Sequence, residues 1–208
     1  MKRARMMAAG IVAAFMLCVS AQADACVGKT LVIGCAGTPD LSVVSQMISI
    51  LITERTGTTV VVKGYDSFSG CMEALKACDI NIMVDFTGRG YMETLGHAPE
   101  TDSGKVFSEV KEAYQRDMNL VWLEPLGFSG QSVMDPAKSG GTPMVAAPVV
   151  RKDTLTKFPA LPRVINKLAG KLDNKTVAGL VKKAGPDDKD GKMARKVTRQ
   201  FLKDKRLI

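Results

Sequence analysis

Three short apolar runs alternate with two helical stretches, and this alternation restricts the fold more than any single motif. Thr30-Leu-Val-Ile-Gly34 reads as a buried strand that stops at glycine. Thr38-Pro39-Asp40 then offers an N-cap, a proline at the first helical position and an acid in the first turn. The helix continues from Leu41 to Thr56, and Gly57 ends it. Thr58 to Lys63 is β-branched and reads as a second strand. Cys71 to Ala77 reads as a short helix, and Asp79 to Val84 as a third strand. Strand, helix, strand, helix, strand calls for a parallel sheet with right-handed crossovers. In such sheets ligands sit at the carboxyl ends of the strands. Three loops are expected to meet there, at Cys35 to Asp40, Gly64 to Gly70 and Asp85 to Tyr91.

The remainder is helical with two further extended pieces. Ser103 to Arg116 places Val106, Phe107, Val110, Ala113 and Tyr114 at helical spacing. Leu120-Val-Trp-Leu123 is a strand that runs into Pro125-Leu-Gly-Phe128. Ser129 to Pro143 is rich in Gly, Ser and Pro and reads as a loop. Val145 to Val150 is extended around Pro148. Helices are expected near Ala160–Lys171, Asn174–Ala184 and Lys189–Lys205, with Asp173 and Asp188 as caps.

The first residues look like a targeting segment. Lys2, Arg3 and Arg5 precede an apolar run from Met6 to Val19, and Ser20-Ala-Gln-Ala23 offers a cleavage site. The run is about 14 residues, short of the roughly 20 a membrane span needs. Residues 1–23 are therefore read as a signal peptide and 24–208 as the mature chain, exported to the periplasm. Cys26 follows Ala-Asp-Ala, a poor lipidation context. Of five cysteines Cys18 leaves with the signal, so Cys26, Cys35, Cys71 and Cys78 enter an oxidising compartment, where disulfides are expected. No pair has Cys-x-x-Cys spacing, which counts against a zinc knuckle or a thioredoxin-like site.

Charge divides the mature chain. Residues 24–150 carry 9 basic and 15 acidic side chains, and residues 151–208 carry 17 and 6. The basic third has only Phe158 and Phe201 as aromatics, too few for a nucleic-acid groove. It reads as solvated helix faces. The single histidine, His97, could act as a base only if a partner held it, and it argues against a histidine-rich zinc site. There is no Walker A pattern, and Gly88-Arg-Gly90 suits a tight turn. Asp85 sits at a strand end, suited to a ligand contact or a helix cap. No catalytic set, cofactor site or metal site assembles, so a binding protein is expected in place of an enzyme.

Four stretches taken together resemble the glycine betaine/choline/carnitine-binding proteins of ABC importers. The first is Thr30 to Gly34 with its following helix. The second is Glu73-Ala-Leu-Lys-Ala-Cys-Asp-Ile-Asn81 with Asp85-Phe-Thr-Gly88. The third is Val110-Lys-Glu-Ala-Tyr114 with Leu120 to Phe128. The fourth is Ala146-Ala-Pro-Val-Val-Arg151, Lys167 to Leu172 and Phe201 to Ile208. The resemblance implies a type II periplasmic-binding-protein fold, α/β in three layers with a mostly parallel sheet. It also implies two lobes that close on a quaternary amine held by aromatic faces through cation–π attraction. The family's second lobe would be inserted after Phe128, where this chain has only the linker 129–142. A single lobe is therefore expected. Phe86 stands where the family has a tyrosine in Glu-Tyr-Thr-Gly, and Met144 where it has another. Cys35 to Asp40 replaces a first loop that carries a lysine and an aromatic.

On this resemblance Thr38, Tyr65, Phe68, Asp85, Phe86, Thr87 and Tyr91 are the expected ligand contacts. The expected partners are a small quaternary-amine solute and an ABC permease in the inner membrane. Homodimerisation through the uncovered cleft face is a further expectation. A structural or sensory protein derived from one such lobe is the alternative reading. With strand order 2-1-3, Cys35 and Cys71 fall at the carboxyl edge and Cys26 and Cys78 at the opposite edge. Of the three possible pairings, Cys35–Cys71 and Cys26–Cys78 are then expected.

Overall fold

A computed structural model describes residues 30–130, 134, 136–185, 188 and 190–208. The expected signal peptide and Cys26 lie outside the described residues. Five strands form one sheet: β1 Thr30–Ala36, β2 Thr59–Tyr65, β3 Ile82–Phe86, β4 Leu120–Trp122 and β5 Ala146–Arg151. Their order is β2-β1-β3-β5-β4. β1 is parallel to β2 and β3, and β5 runs antiparallel to both its neighbours. The sheet is thus mostly parallel, with one strand returning through it.

The helices are α1 Pro39–Thr56, α2 Phe68–Lys76, α3 Thr87–Arg89, α4 Ser103–Asp117, α5 Pro136–Ser139, α6 Lys152–Lys157, α7 Leu161–Ile165, α8 Asn174–Ala184 and α9 Lys192–Asp204. Local chemistry sets their ends. Gly57 closes α1 in the left-handed conformation at φ 72°, its amide donating to Thr53 O. Ser67, Asp102 and Asp173 cap α2, α4 and α8 by accepting first-turn amides. No helix among the described residues is long and apolar enough to cross a membrane.

The crossovers put α1 and α2 on opposite faces of β1. A Cβ at Gly34 would meet Cys71 of α2 and Ile80, whereas Cys35, one residue on, turns its thiol toward Ser45 of α1. Both faces of the sheet are therefore covered, and every residue of β3 is buried. α9 lies on α1 and α8, and Arg55 of α1 donates to Leu207 O at 2.8 and 2.5 Å, which ties down the C-terminus.

Several expected boundaries move. The third strand begins at Ile82 and takes in Asp85 and Phe86. Asp79 and Ile80 belong instead to a turn whose amides donate to Ala74 O, entered through Cys78 at φ 72°. The helix expected over 160–171 ends at Ile165 in a 3-10 turn over Asn166–Leu168. Gly170 at φ 63° then leads the chain into bonds from Gly170 N to Pro125 O and from Leu172 N to Leu126 O. The last helix starts only after Gly191, at φ 68°.

Candidate functional site

The carboxyl ends of β1, β2 and β3 bring together Thr38, Tyr65, Phe68, Asp85 and Phe86, as the topology requires. Thr38 is the N-cap of α1, but its hydroxyl caps nothing; Thr38 Oγ1 is buried without a hydrogen-bond partner among the described residues. Tyr65 ends β2, half-buried, with its ring near Gly34 and Lys63 Nζ 5.2 Å from the ring centroid. Phe68 opens α2. Its ring stands edge-on to Phe86 at 5.8 Å, and Phe86 in turn meets Phe128 at 6.1 Å. Three phenyl rings thus run from the half-buried Phe68 into the core.

Asp85 is the charged centre of this edge. Its carboxylate is wholly buried and accepts from Phe86 N at 2.7 Å. Arg89 Nε and one terminal guanidinium nitrogen donate to its two oxygens at 2.6 and 2.5 Å. This two-pronged arrangement is the strong form of a charged hydrogen bond. Arg89 is itself only 5 % exposed, and its guanidinium lies 4.8 Å from the centre of the Phe68 ring. Burial alone would make the guanidinium easier to deprotonate. The Asp85 carboxylate outweighs that and holds it firmly protonated. A third contact, Arg89 to Glu93 at 3.2 Å, reaches toward the surface. Arg89 ends α3, after which the chain widens into a π-helical turn over Gly90–Thr94. Wide turns of this kind often mark functional positions.

The other expected contacts are engaged elsewhere. Thr87 stitches the end of β3 to the returning chain: its hydroxyl donates to Pro143 O at 2.9 Å and accepts from Val145 N at 3.2 Å. Tyr91 faces α4. Its ring lies on His97 at 4.6 Å, and Glu109 approaches His97 at 3.9 Å. Tyr91, itself buried, therefore belongs to a separate cluster beneath His97 and Glu109. No group of three or more His, Cys, Asp and Glu side chains that could hold a metal occurs among the described residues.

The expected Cys35–Cys71 bridge is not formed; both are buried free thiols. The reason is strand parity. Gly34 faces α2 and its Cys71, so Cys35 must face α1. Burial raises both thiol pKa values, that of Cys71 to about 12. The Cys26–Cys78 pairing involves Cys26, outside the described residues.

Sequence reasoning missed Arg89 and Phe128. The signal for Arg89 was its spacing of four from Asp85 at a strand-to-helix junction, which puts the two side chains side by side.

Beyond β4, Ser129 bridges Val145 antiparallel, with Gly130 N donating to Met144 O at 3.0 Å and Ala146 N to Phe128 O at 2.9 Å.

A family model described as the substrate binding domain of ABC-type glycine betaine transport systems matches in two pieces, residues 29–134 and 129–204. Among solved structures, the chain is similar to a glycine betaine/carnitine/choline ABC transporter protein at 16% identity and TM-score 0.74, over 86% of this chain and 98% of that one. It is also similar to apo YehZ from Escherichia coli at 15% identity and TM-score 0.71, over 87% and 100%. A choline-binding protein of an ABC transporter, in complex with choline, aligns at 14% identity and TM-score 0.51, over 86% and 89%. These likenesses show a common fold. No curated protein sequence matches the chain.

Proposed function

We propose, from the premise that the chain belongs to the family of substrate-binding domains of ABC-type glycine betaine transport systems, that it is the extracytoplasmic solute-binding component of such an importer, reduced to one lobe. Its solute would be a glycine betaine- or choline-type osmoprotectant, delivered to an inner-membrane permease from the periplasm. The family is one of solute-binding proteins, not enzymes. One observation supports the ligand class: the half-buried Tyr65 and Phe68 rings at the carboxyl edge, the latter backed by Phe86 and Phe128. Aromatic faces attract an organic cation in preference to an anion or a neutral sugar. Thr38 and Tyr65 stand half-buried at the same edge. The single-lobe reading draws on the Ser129–Val145 bridge and on the two family segments meeting at 129–134.

A second reading follows from Arg89. With Asp85 already bound by an internal cation, the lobe can serve as a structural or sensory partner with no solute of its own. Calorimetric titration of the purified chain with glycine betaine, choline and carnitine separates the two. Saturable heat with any of them supports transport. Heat no greater than the dilution blank for all three removes the solute-binding role and leaves the second reading.

A further inference from the structure

The contacts of Arg89 reproduce, one by one, what a small organic cation would need. A planar cation requires a carboxylate that can take two parallel N–H donors, an aromatic face to lie on, and shelter from water. Asp85 supplies the first, at 2.6 and 2.5 Å. Phe68 supplies the second, at 4.8 Å from the ring centre. Burial of Asp85 and of Arg89 supplies the third. The walls of the slot come from two different elements: β3 gives Asp85, and α2 gives Phe68, whose ring is backed in turn by Phe86 and Phe128. Only the occupant comes from the one short turn after β3. That turn is α3 and the widened Gly90–Thr94 turn, and it is held from outside by the Arg89–Glu93 contact.

We infer that the Asp85–Phe68 site is a latent organic-cation pocket, and that Arg89 is its built-in occupant, blocking soluble guanidinium- and ammonium-type cations. The wild-type chain keeps the slot filled. A variant lacking the Arg89 side chain keeps Asp85, Phe68 and Phe86 and offers the space to a cation from solution. The inference rests on side-chain geometry and stands whether or not the wild-type chain carries a solute for an importer.

The test is rescue of Arg89→Ala by methylguanidinium, read as the melting temperature of the folded chain by circular dichroism. Without the cation the variant melts several degrees below wild type, because Asp85 is left buried and unpaired. Added methylguanidinium chloride should restore the melting temperature saturably at millimolar concentration, while sodium chloride of equal ionic strength should not. Wild type should show no such gain. The double variant Asp85→Asn/Arg89→Ala should lose the response, since its carboxylate is gone. If Arg89→Ala does not fold alone, refolding in methylguanidinium should recover the helical signal, and failure to recover it overturns the inference. A flat response, or one matched by sodium chloride or by the double variant, also overturns it. None of these outcomes depends on wild-type titration with glycine betaine, choline or carnitine, so the two readings fail separately.

Discussion

The two edges of the sheet hold the same kind of ion pair in opposite surroundings. At the carboxyl end of β3, Asp85 and Arg89 are sealed among aromatic rings. At the far edge, where β5 ends, Arg151 meets Asp153 through two hydrogen bonds of 2.9 and 2.8 Å. That second pair lines an open pocket of about 670 Å³, shared with Lys76, Asp117, Asn119 and Lys152. The fork geometry is nearly identical. The difference lies in water. A sealed pair has lost its hydration and depends wholly on its partner, whereas an open pair exchanges each lost bond for a bond to solvent. Removing one partner should therefore unbalance the sealed edge and hardly disturb the open one.

The largest effect is expected at Asp85. Asp85→Asn keeps the volume but removes the counter-charge of a buried guanidinium, at a cost of about 3–5 kcal/mol. Urea denaturation measures it. Replacing both partners, as in Asp85→Leu/Arg89→Met, should return most of that loss, because neither charge then needs compensation. A single variant that costs no more than Lys152→Ala on the open rim would erase the distinction between the edges.

Next comes the tight packing around the sealed edge. A Cβ on Gly88 would lie 2.7 Å from Met144 Sδ and 2.8 Å from Pro143 O. The backbone carbonyl cannot move without disturbing the Thr87 bond to the same oxygen. Gly88→Ala should therefore cost about 1–3 kcal/mol. A loss near zero in the same urea series would mean that the returning chain at 143–145 is free to shift, contrary to its hydrogen bonding.

These contrasts also explain what the sequence made legible. The β-branched runs and capped helices gave the order of elements, because each depends on neighbours in sequence: Pro39 and Asp40 start α1, and Gly57 ends it. The parallel sheet followed from that order. The occupant of the Asp85 site did not, because the choice between a soluble cation and Arg89 depends on how the short α3 turn sets Arg89 against Phe68 of α2. The expected Cys35–Cys71 bridge failed for a simpler reason. Both residues were assigned to the right edge, but one step along β1, from Gly34 to Cys35, changes the face of the sheet. An edge is a matter of topology, and a face is a matter of single-residue parity.

The smallest expected effect belongs to the open pair, and its pH dependence has a definite sign. Burial would raise the Asp153 pKa, but hydrogen bonds and charge from Arg151, with the Thr154 amide, outweigh it and hold the carboxyl below the usual aspartate range. A group with a depressed folded pKa contributes stability above its unfolded pKa, near ~3.9, and loses it as pH falls through the folded value. With its side chain 33 % exposed, the contribution is screened and should stay below about 1 kcal/mol. Asp153→Asn should therefore lower stability slightly at pH 7 and leave it unchanged relative to wild type at the acid end of the range. The difference between the two urea curves, followed downward from pH 7, should close below pH ~4, where the carboxylate takes up its proton. A gap that widened on acidification would mean that the folded carboxyl holds its proton more tightly than the unfolded one, and would overturn the reading of Asp153 as a carboxylate held by Arg151.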